Sequence, residues 1–208
     1  RELKEVCLKY NLIYSSSVWD LKSAKEIASL EPEFIKIGSA TNLNFKVLEY
    51  LCLNFKGKIH VSLGMTTRDE EEKIINFFKK KNRSSDLIIY ACTSAYPVET
   101  PDVCLLEIKR LIENYKVKKK VYDVGFSGHH KGIAFDMAAY TLGANYIERH
   151  FTLDRTWKGT DHSASLEPDG MRRLNRNLDS LSQALTYKKQ EILEVEKKTR
   201  TKLKYEKT

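Results

Sequence analysis

The sequence lacks the features that would place the chain in a membrane or in an oxidising compartment. No apolar run approaches the roughly 20 residues that a membrane-spanning helix needs, and the first residues carry no secretory pattern. The four cysteines show no C-x-x-C spacing, and at least two of them fall in apolar strand or helix patterns, where buried free thiols are common. We therefore expect a reduced, cytoplasmic protein that has no membrane partner.

The sequence does contain enough apolar residues for a substantial core. Its 208 residues are 41% apolar, which suits one large domain or a domain with an appendage, and the missing initial methionine suggests a fragment. The net charge is +8, and most of it comes from the residues after Met171, where eleven Lys and Arg stand against five Asp and Glu. A nucleic-acid-binding tail would explain this charge. No aromatic platform or binding motif accompanies it, however, so we expect no nucleic-acid partner.

Strand and helix patterns alternate along most of the chain. Six apolar strand patterns, separated by helical patterns, cover residues 12–18, 34–39, 58–64, 87–93, 121–127 and 146–153. This alternation predicts a parallel α/β protein, and both a doubly wound sheet and an eight-fold barrel satisfy it. Ser, Thr, Lys or His ends nearly every strand, which favours a barrel, because sites in barrels collect at that rim. Residues 187–208 are predicted to form a separate basic helix or tail.

Two histidines follow neighbouring strands in the stretch 124–168. His129 comes directly after the strand pattern 121–127, in a turn between two glycines that allow tight backbone conformations. His150 lies in the next strand pattern, where a period of two puts it on the same face as Glu148. Two strands joined through a helix are parallel and adjacent, so their carboxyl ends reach the same rim. We therefore expect the two imidazole rings to meet.

A lysine and several serines also stand near strand ends. Lys36 lies in an otherwise apolar strand, and a buried ammonium is costly unless it meets an anion, which can be either a ligand or an internal carboxylate. Hydroxyls and loop amides at five strand ends could surround a phosphate or a carboxylate group. These hydroxyls belong to Ser16, Ser39, Ser62, Ser94 and Ser127. Each serine alone is equally compatible with capping a loop.

Five motifs, in this order along the chain, resemble the catalytic domain of the sialic acid synthase family. They are KIGS at 36–39, VSLGM at 61–65, CTSAYP at 92–97, VGFS at 124–127 with His129, and IERHFTLDR at 147–155. The resemblance covers almost the whole chain and corresponds to strands three to eight of the family's barrel. It implies a parallel (β/α)8 TIM barrel, partial here, with six of its eight units over residues 1–186.

The resemblance also implies an activity and a role for each candidate residue. The family condenses phosphoenolpyruvate (PEP) with an N-acetylated aldose such as N-acetylmannosamine and releases phosphate. Catalytic roles fall on Lys36, His129 and His150, and the two histidines would hold a divalent Mn²⁺ or Mg²⁺. PEP would bind to Lys36 and the five serines listed above. The sugar would contact Tyr96 and Asp161, and Glu148 would orient a metal ligand.

Two departures from the family pattern leave the sugar open. Gly128 stands where the family commonly has Asp between the serine and the histidine, and Thr41 replaces an acidic residue that contacts the sugar. Legionaminic or pseudaminic acid synthesis is therefore an alternative within the class. A truncated, non-catalytic barrel fragment, or a module that only binds PEP or carbohydrate, is an alternative of another class. A homodimer is an open alternative for the assembly.

Overall fold

The computed structural model describes residues 1–205, in which five parallel strands form one sheet. The strands are β1 (Phe34–Ile37), β2 (Lys58–Ser62), β3 (Leu87–Cys92), β4 (Asp123–Gly128) and β5 (Tyr146–Arg149), and they are hydrogen-bonded in sequential order. A doubly wound sheet reverses its strand order at a switch point, whereas a barrel does not. The sequential order therefore distinguishes the two predicted folds and defines a partial (β/α) barrel.

Within the described residues, eight α-helices precede, connect and follow the strands. They are α1 (Glu2–Lys9), α2 (Leu21–Ala28), α3 (Phe45–Asn54), α4 (Arg68–Lys80), α5 (Leu106–Leu111), α6 (Ala134–Thr141), α7 (Pro168–Ala184) and α8 (Glu194–Leu203). A π-helical turn over Ile112–Lys116 continues α5. None of the helices within residues 1–205 is long and apolar enough to cross a membrane. Helix α8 buries no side chain, and the boundary predicted at residue 186 stays a prediction.

The predicted first strand, residues 12–18, is not a strand in the structure. Ser17 forms a single parallel bridge to Lys36, and the backbone N–H of Val18 donates to the Lys36 carbonyl at 3.0 Å. Leu12 and Ile13, at the start of this segment, are 61% and 60% exposed. A strand needs a partner along its length, and only the end of this segment pairs with β1. The prediction of six strands was therefore wrong by one.

The last predicted strand is shorter than expected, because the chain after it pairs outside the sheet. β5 ends at Arg149 rather than at residue 153. Phe151 leaves the sheet to form a parallel bridge with Leu166, and the N–H of Leu166 donates to the His150 carbonyl at 2.8 Å. The chain beyond β5 thus folds back over the carboxyl end of the sheet.

The two faces of the sheet have different chemistry. Side chains alternate along a strand, and the face that includes Ile35, Val61 and Ile89 packs against buried residues of α3, α4 and α5 such as Leu48, Phe78 and Ile108. Each fully buried side chain of this size stabilises the fold by about 1.5–3 kcal/mol. The opposite face carries polar groups, among them Lys36, His60, Ser62, Ser127 and Glu148. The apolar face therefore holds the fold together and leaves the polar face for other roles.

The start of α4 is fixed by a reciprocal cap. The N–H of Glu70 donates to the Thr67 hydroxyl at 3.3 Å, and the N–H of Thr67 donates to the Glu70 carboxylate at 2.9 Å. Three acidic residues in the first turn also interact favourably with the helix dipole. The cap defines where the loop after β2 ends, and this loop carries Gly64 and Met65 to the carboxyl rim of the sheet.

We predict that Thr67→Ala lowers the free energy of unfolding by about 1 kcal/mol, because the N–H of Glu70 loses its acceptor and the Glu70 carboxylate loses the hydroxyl that bonds it. Urea denaturation followed by circular dichroism measures the change. Thr67→Ser keeps the hydroxyl and should stay close to wild type. Equal losses in both variants would show that the cap does not stabilise α4.

Candidate functional site

A cavity of about 610 Å³ opens at the carboxyl ends of the strands. It is lined by ten residues singled out from the sequence: Lys36, Ser39, Ser62, Ser94, Tyr96, Ser127, His129, Glu148, His150 and Asp161. Strand register explains why so many of them meet, since Cys92 pairs with Ser127 and Ser127 pairs with Glu148. Paired residues point to the same face, so the polar side chains converge.

Ser16 is the one predicted site residue that does not line the cavity. Its hydroxyl donates to the Ser17 carbonyl at 3.3 Å. Ser17 is the bridge partner of Lys36, so it shares the face of Lys36 and lines the cavity. Because side chains alternate in extended backbone, Ser16 faces the other way. The structure thus puts Ser17 in the position predicted for Ser16.

Lys36 lies at the floor of the cavity and is only 7% exposed. Its ammonium donates to the Ser62 hydroxyl at 2.6 Å and to the Ile37 carbonyl at 3.0 Å. The Glu148 carboxylate stands 3.6 Å away, which is longer than a close charge-assisted hydrogen bond. Burial lowers the pKa of Lys36, and the charge of Glu148 opposes that shift in part. The ammonium is therefore only partly compensated, and it faces a cavity.

Glu148 contacts the side of the cavity that carries Lys36. Its carboxylate accepts a hydrogen bond from the Ser127 hydroxyl at 2.8 Å, in addition to its approach to Lys36. We expected Glu148 to orient one of the histidines. Its hydrogen bond instead holds Ser127, because the register of β4 and β5 pairs the two residues directly.

Ser39 and Ser94 meet over Gly64. The N–H of Gly64 donates to the Ser39 hydroxyl at 3.1 Å. A β-carbon at Gly64 would lie 2.5 Å from the Ser39 hydroxyl oxygen and closer still to that of Ser94. Only glycine allows the two hydroxyls and the loop backbone to approach this closely.

His129 and His150 face each other across the cavity, with ring centroids 5.2 Å apart. The residues before them, Gly128 and Arg149, are register partners, so the two side chains leave adjacent strands at the same level. His129 Nδ1 lies 2.8 Å from the Thr93 carbonyl, which only accepts, so Nδ1 donates and the Nε2 lone pair is free. Burial lowers the pKa of both rings, which keeps them neutral.

Tyr96 and Asp161 surround the two histidines. The Tyr96 ring lies 4.3 Å from the His129 ring and 5.6 Å from the His150 ring, measured between centroids. An Asp161 carboxylate oxygen stands 3.8 Å from His150 Nδ1. Tyr96 is 41% exposed, so it covers the rings while remaining open to a ligand. The two residues predicted to bind sugar thus lie beside the histidine pair rather than beside Lys36.

The histidine pair suits a divalent cation that shares its coordination with water and ligand oxygens. Within residues 1–205 no three His, Cys, Asp or Glu side chains are grouped so that they could hold a metal. Two imidazoles would therefore be the only side-chain ligands from this part of the chain. The Nδ1–H of His129 bonded to a carbonyl is the arrangement that directs Nε2 at a metal. The residues present fit a divalent cation that takes its remaining ligands from water or from substrate oxygens.

Two further groups of buried polar residues were not predicted from the sequence to belong to the site. His60 is buried on the face of Lys36, its Nδ1 lies 2.8 Å from the Tyr90 hydroxyl, and its ring stacks on Phe34 at 4.2 Å between centroids. Behind the histidine pair, Arg149 forms an ion pair with Asp136. Asp136 is a charged residue in an otherwise apolar helical stretch, and that signal could have revealed the pair.

The fold and the cavity together define a class of protein. It is a (β/α)-barrel protein whose rim combines a buried ammonium with a pair of neighbouring imidazole rings. The NeuB family model matches residues 1–190, and the chain belongs to the NeuB family. The resemblance to sialic acid synthases inferred from the motifs is thereby confirmed.

Individual relatives agree with this membership. N-acetylneuraminate-9-phosphate synthase of Homo sapiens is 34% identical over 203 residues, which are 98% of this chain and 55% of that protein. N,N'-diacetyllegionaminic acid synthase of Campylobacter jejuni is 33% identical over 178 residues, 85% of this chain and 52% of that protein. The chain therefore spans about half the length of these curated relatives.

A solved structure supports the fold. The crystal structure of N-acetylneuraminic acid (sialic acid) synthetase from Leptospira borgpetersenii, in complex with citrate, matches with a TM-score of 0.83 and 28% sequence identity. The match covers 99% of this chain and 70% of that chain. The partial barrel predicted from the sequence is confirmed.

The shifted pKa of His60 predicts a pH-dependent stability. Burial, with the charges of Lys36 and Lys58, lowers this pKa from 6.5 to about 4. As the pH falls below 6.5 the unfolded chain takes up a proton that the folded chain does not, so stability is lost. Between pH 7 and pH 5 we expect this group to reduce the free energy of unfolding by about 2 kcal/mol.

Urea titrations of wild type and His60→Gln at both pH values measure this contribution. Glutamine fills a similar volume and does not titrate, so the variant should lose about 2 kcal/mol less than wild type over the interval. The other histidines titrate alike in both proteins and cancel from the difference. Identical pH dependence in the two proteins would refute the assignment.

Proposed function

We propose that this chain is part of a nonulosonic (sialic) acid synthase, which condenses phosphoenolpyruvate with an N-acetylated aldose such as N-acetylmannosamine and releases phosphate. The observation that carries this proposal is the pairing of two unlike groups in one cavity. The buried Lys36 ammonium suits an anion, and the neutral His129 and His150 rings beside it suit a divalent cation. Membership of the NeuB family and the names of the relatives support the same activity.

The Lys36 side of the cavity would bind phosphoenolpyruvate. The substrate has two anionic groups, and an ammonium shielded from water attracts them more strongly than one in bulk solvent. The hydroxyls of Ser39, Ser62, Ser94 and Ser127 would add hydrogen bonds to the phosphate and carboxylate oxygens. Ser17 lines the same side and takes the role first predicted for Ser16. Glu148 would hold Ser127 and limit how far Lys36 moves.

The histidine side would bind the open-chain sugar with its aldehyde toward the substrate methylene. A carbon–carbon bond forms between the methylene carbon and the aldehyde carbon, and the aldehyde oxygen takes a proton. Water then adds to the enol carbon, and the bond between that carbon and the phosphate oxygen breaks. Lys36 and its serines hold the departing phosphate, so the chain contributes positioning and charge stabilisation.

A divalent Mn²⁺ or Mg²⁺ would be held by His129 Nε2 and by the His150 ring. Bound there, it would supply Lewis acidity to the aldehyde oxygen. The Thr93 carbonyl fixes the tautomer of His129 through its hydrogen bond to Nδ1. Tyr96 would exclude water from one side of the pair, and Asp161 would accept hydrogen bonds from sugar hydroxyls. The free state of all four cysteines agrees with a cytoplasmic enzyme, and we leave a homodimer as its assembly to be tested.

Legionaminic or pseudaminic acid synthesis is the second candidate. Thr41 bonds the Gly38 carbonyl and is not among the cavity-lining residues, and Gly128 supplies no carboxylate. The sugar side then has Asp161 as its acidic group, which favours a sugar with fewer hydroxyls to bind. Turnover of phosphoenolpyruvate with N-acetylmannosamine, compared with 6-deoxy diacetamido sugars, would choose between the substrates. A fragment that only binds its ligands would turn over none of them.

We expect His150→Ala to abolish the Mn²⁺-dependent release of phosphate from phosphoenolpyruvate in the intact protein while leaving the fold unchanged. The variant removes one of two proposed ligands, and phosphate assays with circular dichroism measure the two effects. His162→Gln is a matched control, because that ring bonds Thr152 outside the cavity, and it should retain activity. Unchanged turnover in His150→Ala would refute the ligand assignment.

Lys36→Met should weaken phosphoenolpyruvate binding about tenfold to a hundredfold. A hydrogen bond to a charged group contributes about 1.5–3 kcal/mol, which corresponds to this range. Calorimetric titration measures the dissociation constant without turnover. Lys58→Met is the control, because Lys58 lies at the opposite end of its strand, over the Tyr122 ring. Equal affinities in the two variants would place the anion site elsewhere.

A further inference from the structure

A buried arginine next to His150 in the sequence contacts the segments that surround the two histidines of the cavity. Arg149 lies between Glu148 and His150, and its side chain is 1% exposed. It donates to the Asp136 carboxylate of α6 at 2.6 Å, and this carboxylate is fully buried. A buried ion pair is weak evidence for a stabilising role, since apolar residues of similar size often serve as well or better. Stability alone therefore does not explain why Arg149 and Asp136 are buried as a pair.

The contacts of Arg149 with backbone carbonyls suggest a different role for the pair. The guanidinium donates to the carbonyls of His130 at 2.6 Å, Gly132 at 2.7 Å and Ala164 at 3.2 Å. The first two belong to the loop that carries His129, and the third belongs to the turn that follows Asp161. Arg149 is itself adjacent to His150. One planar group thus connects the three segments that bring His129, His150 and Asp161 to the cavity.

The network is not optimised for stability. Among residues 1–205, Arg149 Nε and Asp136 Oδ1 are buried without a hydrogen-bond partner. An incompletely satisfied buried network destabilises a fold relative to an apolar core. Its geometry nevertheless fixes the spacing of two loops and a strand end, because the five N–H donors of a guanidinium lie in a rigid plane.

We propose that Arg149, held by Asp136, is a positioning residue that sets the relative orientation of the His129 and His150 rings and so the affinity of the divalent-cation site. This inference rests on the proposed function. Residues that orient metal ligands typically contribute a factor of ten to a hundred in metal affinity. The hydrogen bonds of the guanidinium go to the loops and to Asp136 and not to Lys36 or the cavity serines, so we expect binding of phosphoenolpyruvate not to depend on Arg149.

The test compares three variants of the intact protein by Mn²⁺ titration, followed by the electron paramagnetic resonance signal of the free ion. Arg149→Met with Asp136→Leu removes both charges, so the net charge near the site is unchanged. A loss of Mn²⁺ affinity in this variant would therefore reflect a change in the orientation of the two histidine rings. Arg149→Lys keeps the charge and loses the planar fork. Arg83→Lys is the matched control, because Arg83 also bonds one carboxylate and several carbonyls, but at the opposite end of the barrel.

We expect the Mn²⁺ dissociation constant to rise ten- to a hundredfold in the double variant and about tenfold in Arg149→Lys. It should be unchanged in Arg83→Lys. Calorimetric affinity for phosphoenolpyruvate, measured without metal, should stay within about twofold of wild type in all three. The absorption spectrum of bound Co²⁺ should change in both Arg149 variants, since it reports ligand geometry.

Wild-type Mn²⁺ affinity in a folded double variant overturns the inference and leaves the proposed function intact. If the double variant does not fold, Arg149→Lys decides by the same measurement. A wild-type protein that turns over phosphoenolpyruvate but binds no Mn²⁺ overturns both the metal assignment and the positioning role.

Discussion

The buried ammonium of Lys36 is the constraint on which the rest of the molecule depends. An uncompensated charge at this depth would destabilise the fold by several kcal/mol. The chain offers it one hydroxyl, one carbonyl and a carboxylate at 3.6 Å. These partners keep the charge in place without neutralising it fully. The opposite, apolar face of the sheet supplies the stability that allows such a group to persist.

The register of the parallel strands determines which polar side chains lie in the cavity with Lys36. Ser17 pairs with Lys36 at one edge of the sheet, and Cys92, Ser127 and Glu148 align with one another across β3, β4 and β5, so these side chains point to the same face. The same alignment places Gly128 beside Arg149 and so brings His129 and His150 to one level. Ser127 and Glu148 lie two residues before His129 and His150 along the same two stretches of chain, so the proposed anion-binding groups and the proposed metal ligands are neighbours at the rim.

The sequence predicted most of this arrangement because its signals were local. Alternation of apolar runs located five strands, and Lys36 was conspicuous as a cation in an apolar strand. Three features depended on tertiary contacts. Residues 12–18 have strand-like composition but pair with β1 only at their end, and in this pairing Ser17 rather than Ser16 lines the cavity. The contacts of Arg149 reach carbonyls of segments up to 19 residues away in sequence, which no local pattern reveals.

The direction of the pKa shifts explains why the cavity suits its proposed ligands. Burial lowers the pKa of Lys36, His60, His129 and His150 alike, so each basic group is held closer to its neutral form than it would be in water. A neutral imidazole is the form that binds a metal, so for His129 and His150 the shift favours that ligand. For Lys36 the shift reflects a desolvated ammonium, and an arriving phosphate or carboxylate would oppose it by supplying a negative charge that stabilises the charged form. Desolvation therefore favours the metal-binding form of the two histidines, whereas at Lys36 a bound anion has to offset it.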